Sequence, residues 1–448
     1  LIEEYGSPSA AADAVWALAR ENKWYREGEH TERYLLRSAV AVDVRNEAAL
    51  TFSVAWHGQI VGQLGHDGFE WRWQPQDNFN LPLVQQRVPG RLPPFILSLL
   101  PEGWLEKVLK DNDERAVLRS GKRYMSNITI SEDATELASL PVDMLSVSLS
   151  RYARDGLFTG NYAGPGRGKL EADFEAGLAR LYERADTPRL SGVQIKAPMY
   201  LAQDGQLSPS AGLPFTHILK PAGTSGFQAL PVIEYLAMTL GRASGLEAPD
   251  IALVAMPDDM PPALLVERFD IRTSPEDERR FALEDLCSVL DLPPDAKYDG
   301  TIERITRAIR PLSTSAGEDL LLVIKRALFA WLIGDGDMHL KNLALLKIAG
   351  PVADRFSTIR LAPLYDAVTT RVFPSLEHDR MALKLNGKDD RLRRRDFMQV
   401  AAIAGLAATG VGEEIDHFLQ RFAEAIDGVS LPDLPGVDRD IEERAEAM

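Results

Sequence analysis

Four polar residues between two apolar runs give the strongest chemical signal in this sequence. Asp337, His339, Lys341 and Asn342 all lie within WLIGDGDMHLKNLALL, which spans residues 331–346. The run LLLVIKRALFAWLI before them has helical periodicity and stops at Gly334, and the apolar run 343–348 after them is short enough for a strand. The pattern predicts a helix, a polar loop and a strand, with the four side chains at the centre of the loop.

The spacing of two of these residues indicates a definite kind of chemistry. Asp337 and Asn342 stand five positions apart, as do the Asp and Asn of a protein-kinase catalytic loop. One end of such a loop places a carboxylate beside the hydroxyl that will attack, and the other places an amide oxygen on a magnesium ion that bridges the ATP phosphates. Because this spacing also arises by accident, the flanking apolar runs are what favour a catalytic loop over a surface turn.

Three segments upstream of the loop follow the order of a kinase N-lobe. PFTHILKP predicts a strand that ends in Lys220, LPVIEYLAMTLGRASG a helix that carries Glu234, and ALLVERFD a second strand. In a kinase, the strand lysine contacts the α- and β-phosphates and the helix glutamate holds it. Taken alone, Lys220 could equally be a strand-end cation and Glu234 a solvated helix residue.

A carboxylate downstream of the loop has two interpretations. IRLAPLYDAVTTRVF predicts a strand that ends at Tyr365 and Asp366, and Asp366 lies 24 residues after Asn342, a longer interval than in most protein kinases. A carboxylate just after a strand suits a second magnesium ligand. It would equally suit the N-cap of a following helix, and the spacing does not separate the two.

Composition bounds the class of protein. With 448 residues, 45% of them apolar, the chain can bury a large core and should form two or three domains. Its net charge of −16 argues against a broad electropositive surface for nucleic acid. The single cysteine, Cys287, excludes an internal disulfide and a zinc site of clustered cysteines, which favours a reducing cytoplasm. We expect no membrane span and see no signal-like start.

Two motifs resemble known phosphate or ion sites, but the first has the wrong spacing and the second has the wrong residues at two positions. GPGRGK, residues 164–169, has three residues between its outer glycines where a P-loop needs four, and Leu170 follows its lysine. We interpret it as a flexible basic loop. Asp335-Gly-Asp337 begins like a calcium loop, but an EF-hand needs an oxygen ligand at position five and a glycine at position six. Those positions hold His339 and Leu340.

The remaining chain divides into segments that differ in their predicted secondary structure. Residues 1–50 read as two short helices, either a helix-turn-helix module or, since acidic residues interrupt any basic face, a packing extension. A β-rich part follows, with a hairpin turn at His57-Gly58, a strand in FEWRW, a helix near Pro101 and a strand in SNITI. After residue 275 we expect mainly helices, in FALEDLCSVLDLP, IERITRAIRPL, RRRDFMQVAAIAGL and EEIDHFLQRFAEAI. RLRRR, residues 391–395, reads as a solvated helix start or a phosphate contact.

With these residues in place, the sequence resembles the HipA family, bacterial serine/threonine kinases that act as toxins of type II toxin–antitoxin pairs. The resemblance runs from about residue 52 to the end, and the first fifty residues lie outside it. It rests on eight motifs in order: HG-QIVGQL, SLLPEG, SGVQIK, THILK, LLVERFD, EDLCSVL-LPPDAKY, WLIGDGDMHLKN and LAPLYD.

The resemblance implies a role for each matched residue. Asp337 would be the catalytic base, Asn342 and Asp366 the magnesium ligands, and Lys220 a contact to the ATP phosphates. The loop over the phosphates would be Ser191, Gly192, Val193, Gln194, Ile195 and Lys196. The hinge that binds adenine would be Glu267, Arg268 and Phe269. His339, Lys341 and Asn342 would complete the nucleotide contacts.

Two positions depart from the family pattern. Ile233 precedes Glu234 where the family usually has Asn. Family members commonly carry a serine three residues before the SGVQ glycine, and its phosphorylation expels the loop. That position is Arg189, whereas Ser191 directly precedes Gly192. Because a phosphate adds about 1.5 to 2 negative charges to a loop that lies against ATP, we expect autophosphorylation at Ser191 to inactivate the chain, or no such control.

The resemblance also implies an architecture and a biological role. We expect an α+β, protein-kinase-like bilobal fold: a helical extension (1–50), a β-rich N-terminal subdomain (51–140), a kinase N-lobe (141–272) and a mostly helical C-lobe (273–448). The expected cofactors are ATP and Mg²⁺, and the expected partners are a HipB-like helix-turn-helix antitoxin that supplies most of the affinity for operator DNA and a protein substrate, such as an aminoacyl-tRNA synthetase. Phosphorylation of a translation component would arrest growth. A small-molecule or lipid kinase and a non-catalytic nucleotide-binding corepressor remain alternatives.

Overall fold

The computed structural model describes residues 49–76, 89–109, 113–165, 171–223, 227–258, 260–352 and 355–430. The predicted helices of residues 1–50 and most of GPGRGK lie outside these ranges. Within them, three β-sheets and eleven α-helices form a mixed α+β fold, which is the predicted class. No helix in these ranges is both long and apolar enough to cross a membrane.

The first sheet is antiparallel and four-stranded, in the order β3-β2-β1-β4. Its strands are β1 (Leu50–Trp56), β2 (Gln59–His66), β3 (Trp71–Pro75) and β4 (Ile128–Ser131). His57 and Gly58 join β1 to β2 with φ of 48° and 73°, the left-handed backbone that a two-residue hairpin requires. The predicted hairpin is therefore confirmed.

Four short helices accompany this sheet: α1 (Pro94–Leu97), α2 (Gly103–Leu109), α3 (Glu114–Ser120) and α4 (Ala134–Leu137). The helix predicted near Pro101 is α2. A further helix, α1, forms in the proline-containing stretch before it, because a proline in the first turn of a helix lacks only an amide hydrogen that the helix does not use.

The second sheet has seven strands in the order β5-β10-β11-β9-β7-β8-β6. The strands are β5 (Gly156–Phe158), β6 (Asn161–Tyr162), β7 (Ala197–Leu201), β8 (Gln206–Pro209), β9 (His217–Lys220), β10 (Ile251–Val254) and β11 (Ala263–Glu267). Two helices belong to this region, α5 (Glu171–Tyr182) and α6 (Leu230–Ala243). The strand that ends in Lys220, the helix that carries Glu234 and the strand of LLVERFD therefore form in the predicted order.

The C-terminal part contains the longest helices and a small third sheet. The helices are α7 (Leu286–Val289), α8 (Ile302–Ile309), α9 (Ala316–Ile333), α10 (Arg394–Ile403) and α11 (Ala408–Ile426). The sheet is antiparallel, in the order β12-β13-β14, with strands β12 (Arg280–Asp285), β13 (Ala344–Ala349) and β14 (Thr358–Leu361). The three sheets fall in the three predicted ranges to within one residue, although the boundaries themselves stay a prediction.

Two expectations about secondary structure were wrong. FALEDLCSVLDLP was expected to be helical, but its first half is β12, which pairs with β13 from Arg280↔Ala349 to Asp285↔Ala344. A short apolar run does not distinguish a buried strand from a helix, and the partner strand decides the outcome here. The strand before Asp366 also ends early, at Leu361. No helix follows Asp366 directly in the described chain, so the N-cap interpretation is wrong.

A large hydrophobic core joins the first sheet to α6 and to the C-terminal helices, and a smaller one lies against the second sheet. Polar contacts tie the first and third sheets together. Trp56 donates from Nε1 to the carbonyl oxygen of Phe281 (3.0 Å), and Asn127 donates from Nδ2 to the same oxygen (3.0 Å). The N-terminal sheet is therefore held directly against the part of the chain that carries the polar loop.

The packing of β2 generates a stability prediction with an internal control. A methyl group at Gly62 would lie 2.6 Å from the carbonyl oxygen of Gln74 and against the ring of Trp73, whereas at Gly65 the nearest atoms would be 3.9 Å away. Gly62→Ala should lower the free energy of unfolding by about 1–3 kcal/mol through overpacking, and Gly65→Ala should change it by less than about 1 kcal/mol. Urea denaturation measures both, and equal effects would contradict the packing at Gly62.

Candidate active site

The polar loop begins where α9 ends. Gly334 follows the helix in the left-handed conformation (φ 67°), and the amide of Asp335 bonds to the carbonyl oxygen of Ala330 (2.8 Å). A glycine here lets the chain leave the helix without a Cβ penalty. The loop then runs to β13, so the helix, loop and strand occur as the sequence predicted.

Asp335 is the buried centre of this loop. Its carboxylate accepts the amide of Asp337 (2.9 Å) and, more weakly, that of Val368 (3.4 Å). These bonds connect the loop to the segment after Asp366. Burial raises the pKa of Asp335 to about 8, because the charged form loses its hydration. No spacing or motif in the sequence indicated that Asp335, as well as Asp337, shapes the loop.

Asp337 lies at the mouth of a cavity with its carboxylate oriented by a tyrosine. The hydroxyl of Tyr298 donates to Oδ1 of Asp337 (2.6 Å), and the ring of Tyr298 meets His339 edge-on at 5.2 Å. Partial burial raises the pKa of Asp337, while the Tyr298 hydrogen bond opposes that rise. Tyr298 belongs to the LPPDAKY motif, but nothing in its spacing linked it to Asp337.

Asn342 closes the loop and reaches the segment that carries Asp366. Its Nδ2 donates to the carbonyl oxygens of Asp337 (2.9 Å) and Asp366 (3.4 Å). Both donor bonds go to the backbone, so the amide oxygen remains for a ligand. Asp366 has a φ of 53°, an uncommon conformation for a residue with a side chain. Such outliers are concentrated at functional sites.

A buried lysine joins the two halves of the site. The ammonium of Lys220, at the end of β9, bonds to Glu234 of α6 and to Asp366. Burial opposes the charge on Lys220, but the two carboxylates outweigh it and hold the Lys220 pKa above its usual value. Burial likewise opposes the charge of Asp366, yet Lys196 (3.7 Å) and Lys220 hold the Asp366 pKa below its usual value.

The predicted phosphate loop and hinge border the same cavity. Residues 191–196 connect Leu190 to β7, and Gly192 has a φ of 103°, which favours glycine. At the hinge, the amides of Glu267 and Arg268 bond to the carbonyl oxygens of Asp250 (2.9 Å) and Thr216 (3.0 Å). The amide of Phe269 has no hydrogen-bond partner among the described residues.

The cavity has a volume of about 680 Å³. All of the residues predicted from the sequence as site residues line it: Ser191, Gly192, Val193, Gln194, Ile195, Lys196, Lys220, Glu267, Arg268, Phe269, Asp337, His339, Lys341, Asn342 and Asp366. Glu234 and Tyr365 line it as well. The structure therefore brings together side chains that are up to 175 positions apart in the chain (Ser191 to Asp366).

Two of these side chains are committed elsewhere. The guanidinium of Arg268 is buried, pairs with Asp270 (2.9 Å) and Asp143 (2.8 Å), and lies over the ring of Phe215. The ammonium of Lys341 bonds to Glu102 (2.5 Å) and to the carbonyl oxygen of Ser98 (2.9 Å). A nucleotide could meet Arg268 only through its backbone, and the side chain of Lys341 serves the protein.

No group of three or more His, Cys, Asp or Glu side chains in the described chain could hold a metal ion by itself. Asn342 and Asp366 supply two oxygen donors on one wall of the cavity. Mg²⁺ commonly takes one or two protein oxygens and completes its shell with water and substrate phosphates. The donor set thus fits Mg²⁺ bound together with a phosphate ligand.

The raised pKa of Asp335 has a measurable consequence for stability. The Asp335 pKa is about 8 in the folded chain and about 3.8 when unfolded, so the folded state binds the extra proton between these values. Its stabilising effect is complete below about pH 4 and is lost as pH rises through about 8, at about 1 kcal/mol per pH unit.

Asp335→Asn mimics the neutral acid and removes this dependence. We expect the variant to gain stability relative to the wild type as pH rises from about 5 to about 8. Urea denaturation at several pH values measures it, with Asp299→Asn, an exposed aspartate, as the control. Parallel stability curves for the wild type and Asp335→Asn would show that Asp335 is charged throughout.

The chain is similar to proteins of one known family. A sequence model of the HipA-like C-terminal domain matches residues 189–427, more than half of the chain. Two relatives come from Sinorhizobium fredii (strain NBRC 101917 / NGR234). "Putative kinase Y4mE" is 28% identical over 84% of this chain and 90% of its own length. "Putative kinase Y4dM" is 29% identical over 74% of this chain and 75% of its own length.

A solved structure shares the fold. HipA of Shewanella oneidensis MR-1, in a complex with HipB and operator DNA, superposes with a TM-score of 0.61 at 18% identity, covering 88% of this chain and 96% of that one. The match confirms the protein-kinase-like α+β fold expected from the sequence. Because the family match covers more than half of the residues and includes the loop, the lysine strand and the Asp366 segment, the chain belongs to the HipA family.

Proposed function

We propose that this chain is an ATP-dependent serine/threonine protein kinase that transfers the γ-phosphoryl group of ATP to a protein hydroxyl. The observation that carries the proposal is the convergence of Lys220, Asp337, Asn342 and Asp366 on one cavity. These are the charged and amide groups that phosphoryl transfer needs for positioning and for offsetting charge. The names of the two relatives from Sinorhizobium fredii support the kinase part of the proposal.

Two polar atoms on the cavity wall support a ligand rich in acceptors and donors. Nε2 of Gln194, in the loop over the proposed phosphates, and Nδ1 of His339 are buried and have no hydrogen-bond partner among the described residues. Burial lowers the pKa of His339 to about 3, so its ring is neutral at physiological pH. Buried polar atoms are normally bonded, and a nucleotide would supply partners for both.

The proposed transfer assigns a task to each side chain. Asp337 accepts the proton of the acceptor hydroxyl through Oδ2, since Tyr298 occupies Oδ1. The acceptor oxygen forms a bond to the γ-phosphorus, the bond to the β,γ-bridging oxygen breaks, and ADP leaves. Lys220 stays charged through its carboxylates and binds the phosphates. Mg²⁺, when held by Asn342 and Asp366, offsets phosphate charge.

The proposed biological role is that of a toxin with an antitoxin partner. The Shewanella oneidensis HipA occurs with HipB and operator DNA, which supports a HipB-like helix-turn-helix partner and contact with operator DNA mainly through it. In RLRRR, the side chains of Arg391, Arg393 and Arg395 are exposed, whereas Arg394 pairs with Asp416. We propose a minor phosphate contact there, a cytoplasmic site of action and a translation component as substrate.

Substitution of Asp337 tests its proposed role as the catalytic base. Asp337→Asn should lower the rate of phosphoryl transfer about 10²–10⁴-fold, because general-base catalysis contributes on that order, and should leave ATP affinity nearly unchanged. Asp299→Asn, an exposed aspartate nearby, is the matched control. The assay follows transfer of radiolabel from γ-labelled ATP in cell extract.

The destination of the label separates the alternatives. Label in protein supports the proposal, and label in a small product favours a small-molecule kinase. Nucleotide binding without turnover by the wild type favours the corepressor. Wild-type rates in Asp337→Asn would remove Asp337 as the base.

We also expect Ser191 to be a site of autophosphorylation. Arg189, at the usual serine position, is buried and donates to the carbonyl oxygens of Tyr182 (2.7 Å) and Ser120 (2.6 Å). Within this loop, Ser191 therefore supplies the hydroxyl that borders the cavity. After incubation with ATP, mass spectrometry should find a phosphate on the peptide covering residues 189–201. Ser191→Ala should remove it and prolong activity. An unmodified wild-type peptide would eliminate self-inactivation through this loop.

A further inference from the structure

A short segment of the N-terminal region reaches into the site from outside the two lobes. Residues 98–103, here called the bridging segment, connect α1 to α2 and have the sequence SLLPEG. Ser98 lines the cavity, together with Trp104 just after the segment. The bridging segment touches both loops that the proposed reaction needs.

Its first contact is with the catalytic loop. The ammonium of Lys341 is only 7% exposed and is held by three groups, which are the Glu102 carboxylate (2.5 Å), the Ser98 carbonyl oxygen (2.9 Å) and Asp285 (3.7 Å). The hydroxyl of Ser98 also bonds to Asp285. Burial opposes the charge on Lys341, but Asp285 and Glu102 hold its pKa above the usual value. The ion pair between Lys341 and Glu102, which is largely shielded from water, therefore links the catalytic loop to the bridging segment.

Its second contact is with the phosphate loop. Gly103 has a φ of +60°, and a methyl group at its Cα would lie 2.7 Å from Cα and 2.9 Å from the carbonyl oxygen of Val193. Such an approach between two backbones is open to glycine alone. Because the colliding atoms are backbone atoms, the phosphate loop itself would have to move if Gly103 carried a side chain.

The flanks of the phosphate loop are anchored nearby. The Arg189 amide bonds to the carbonyl oxygen of Arg123 (2.7 Å), and its guanidinium to that of Ser120 (2.6 Å). At the other end, the Tyr182 hydroxyl donates to the carbonyl oxygen of Lys196 (2.8 Å). Both ends of the loop are therefore fixed. In its middle, the backbone of Val193 packs against Gly103, and this contact limits how closely the loop approaches the bridging segment.

We propose that the bridging segment sets the distance between the phosphate loop and the catalytic loop, with Gly103 and Glu102 as positioning residues. Gly103 packs against the backbone of Val193, and the Glu102 carboxylate binds the Lys341 ammonium. The N-terminal β-rich part is then a third wall of the nucleotide site. The consequence for catalysis rests on the proposed kinase function, whereas the placement of the two loops does not.

The test uses the full chain and hydrogen–deuterium exchange, which needs no activity. Gly103→Ala should speed amide exchange in residues 191–196 at least about 10-fold, because the added methyl group displaces the Val193 backbone from its contact with residue 103. Gly58→Ala is the matched control, because Gly58 has a φ of +73° but nothing within 4 Å of the added methyl group. It carries the same backbone strain without the collision, and it should leave exchange in residues 191–196 unchanged.

Glu102→Gln is the second variant and covers the case in which Gly103→Ala fails to fold. It is nearly isosteric and removes the closer of the two carboxylate charges that hold Lys341. It should speed exchange in residues 337–342 by about 10-fold or more. In transfer assays, Gly103→Ala should mainly raise KM for ATP, and Glu102→Gln should mainly lower kcat.

The outcomes separate the two claims. Unchanged exchange in 191–196 for a folded Gly103→Ala, or an equal change in Gly58→Ala, overturns the proposal, as does unchanged exchange in 337–342 for Glu102→Gln. If the exchange effects appear but the wild type transfers no phosphoryl group, the bridging segment positions the loops as proposed and the kinase function fails.

Discussion

The site depends on one buried charge. An ammonium that leaves water loses several kcal/mol of hydration, and only well-placed opposite charges offset that loss. Lys220 is 2% exposed and bonds to Glu234 and Asp366. This requirement brings β9, α6 and the segment after β14 to the same point. The cavity lies where these segments meet around Lys220, and the polar loop 334–342 is held beside it through the contact of Asn342 with Asp366.

A second buried network lies at the end of the cavity that is lined by Glu267, Arg268 and Phe269. Asp143 pairs with Arg123 (2.6 Å) and with Arg268 (2.8 Å), and it also accepts the amide of Phe215 (2.8 Å). Removing one charged side chain from this network would leave the buried charge of a remaining member uncompensated. The network joins the region before β5 to the end of β11. It explains why Arg268 is a structural cation although it lies in the predicted hinge.

Sequence reasoning succeeded where a local pattern determines the structure. The apolar periodicity before Gly334, the glycine turn at Gly58 and the strand that ends in Lys220 each depend on nearby residues, and each occurs as predicted. It failed where a distant partner decides. Segment 280–285 becomes a strand because β13 lies beside it, and the ammonium of Lys341 is bound by Glu102, which is 239 positions away in the chain. Tyr298 and Asp335 have no distinguishing spacing, so only the three-dimensional contacts show their roles.

In the proposed complex, one metal-bound triphosphate meets Lys220, Asn342 and Asp366 in the same cavity. The most direct test is a crystal structure of the full chain with Mg²⁺ and a non-hydrolysable ATP analogue. We expect a metal about 2.1 Å from the Asn342 amide oxygen and from an Asp366 carboxylate oxygen. Lys220 should contact the phosphates, and Asp337 should face the terminal phosphate. A triphosphate bound in another cavity, or a metal held without Asn342 and Asp366, would contradict it.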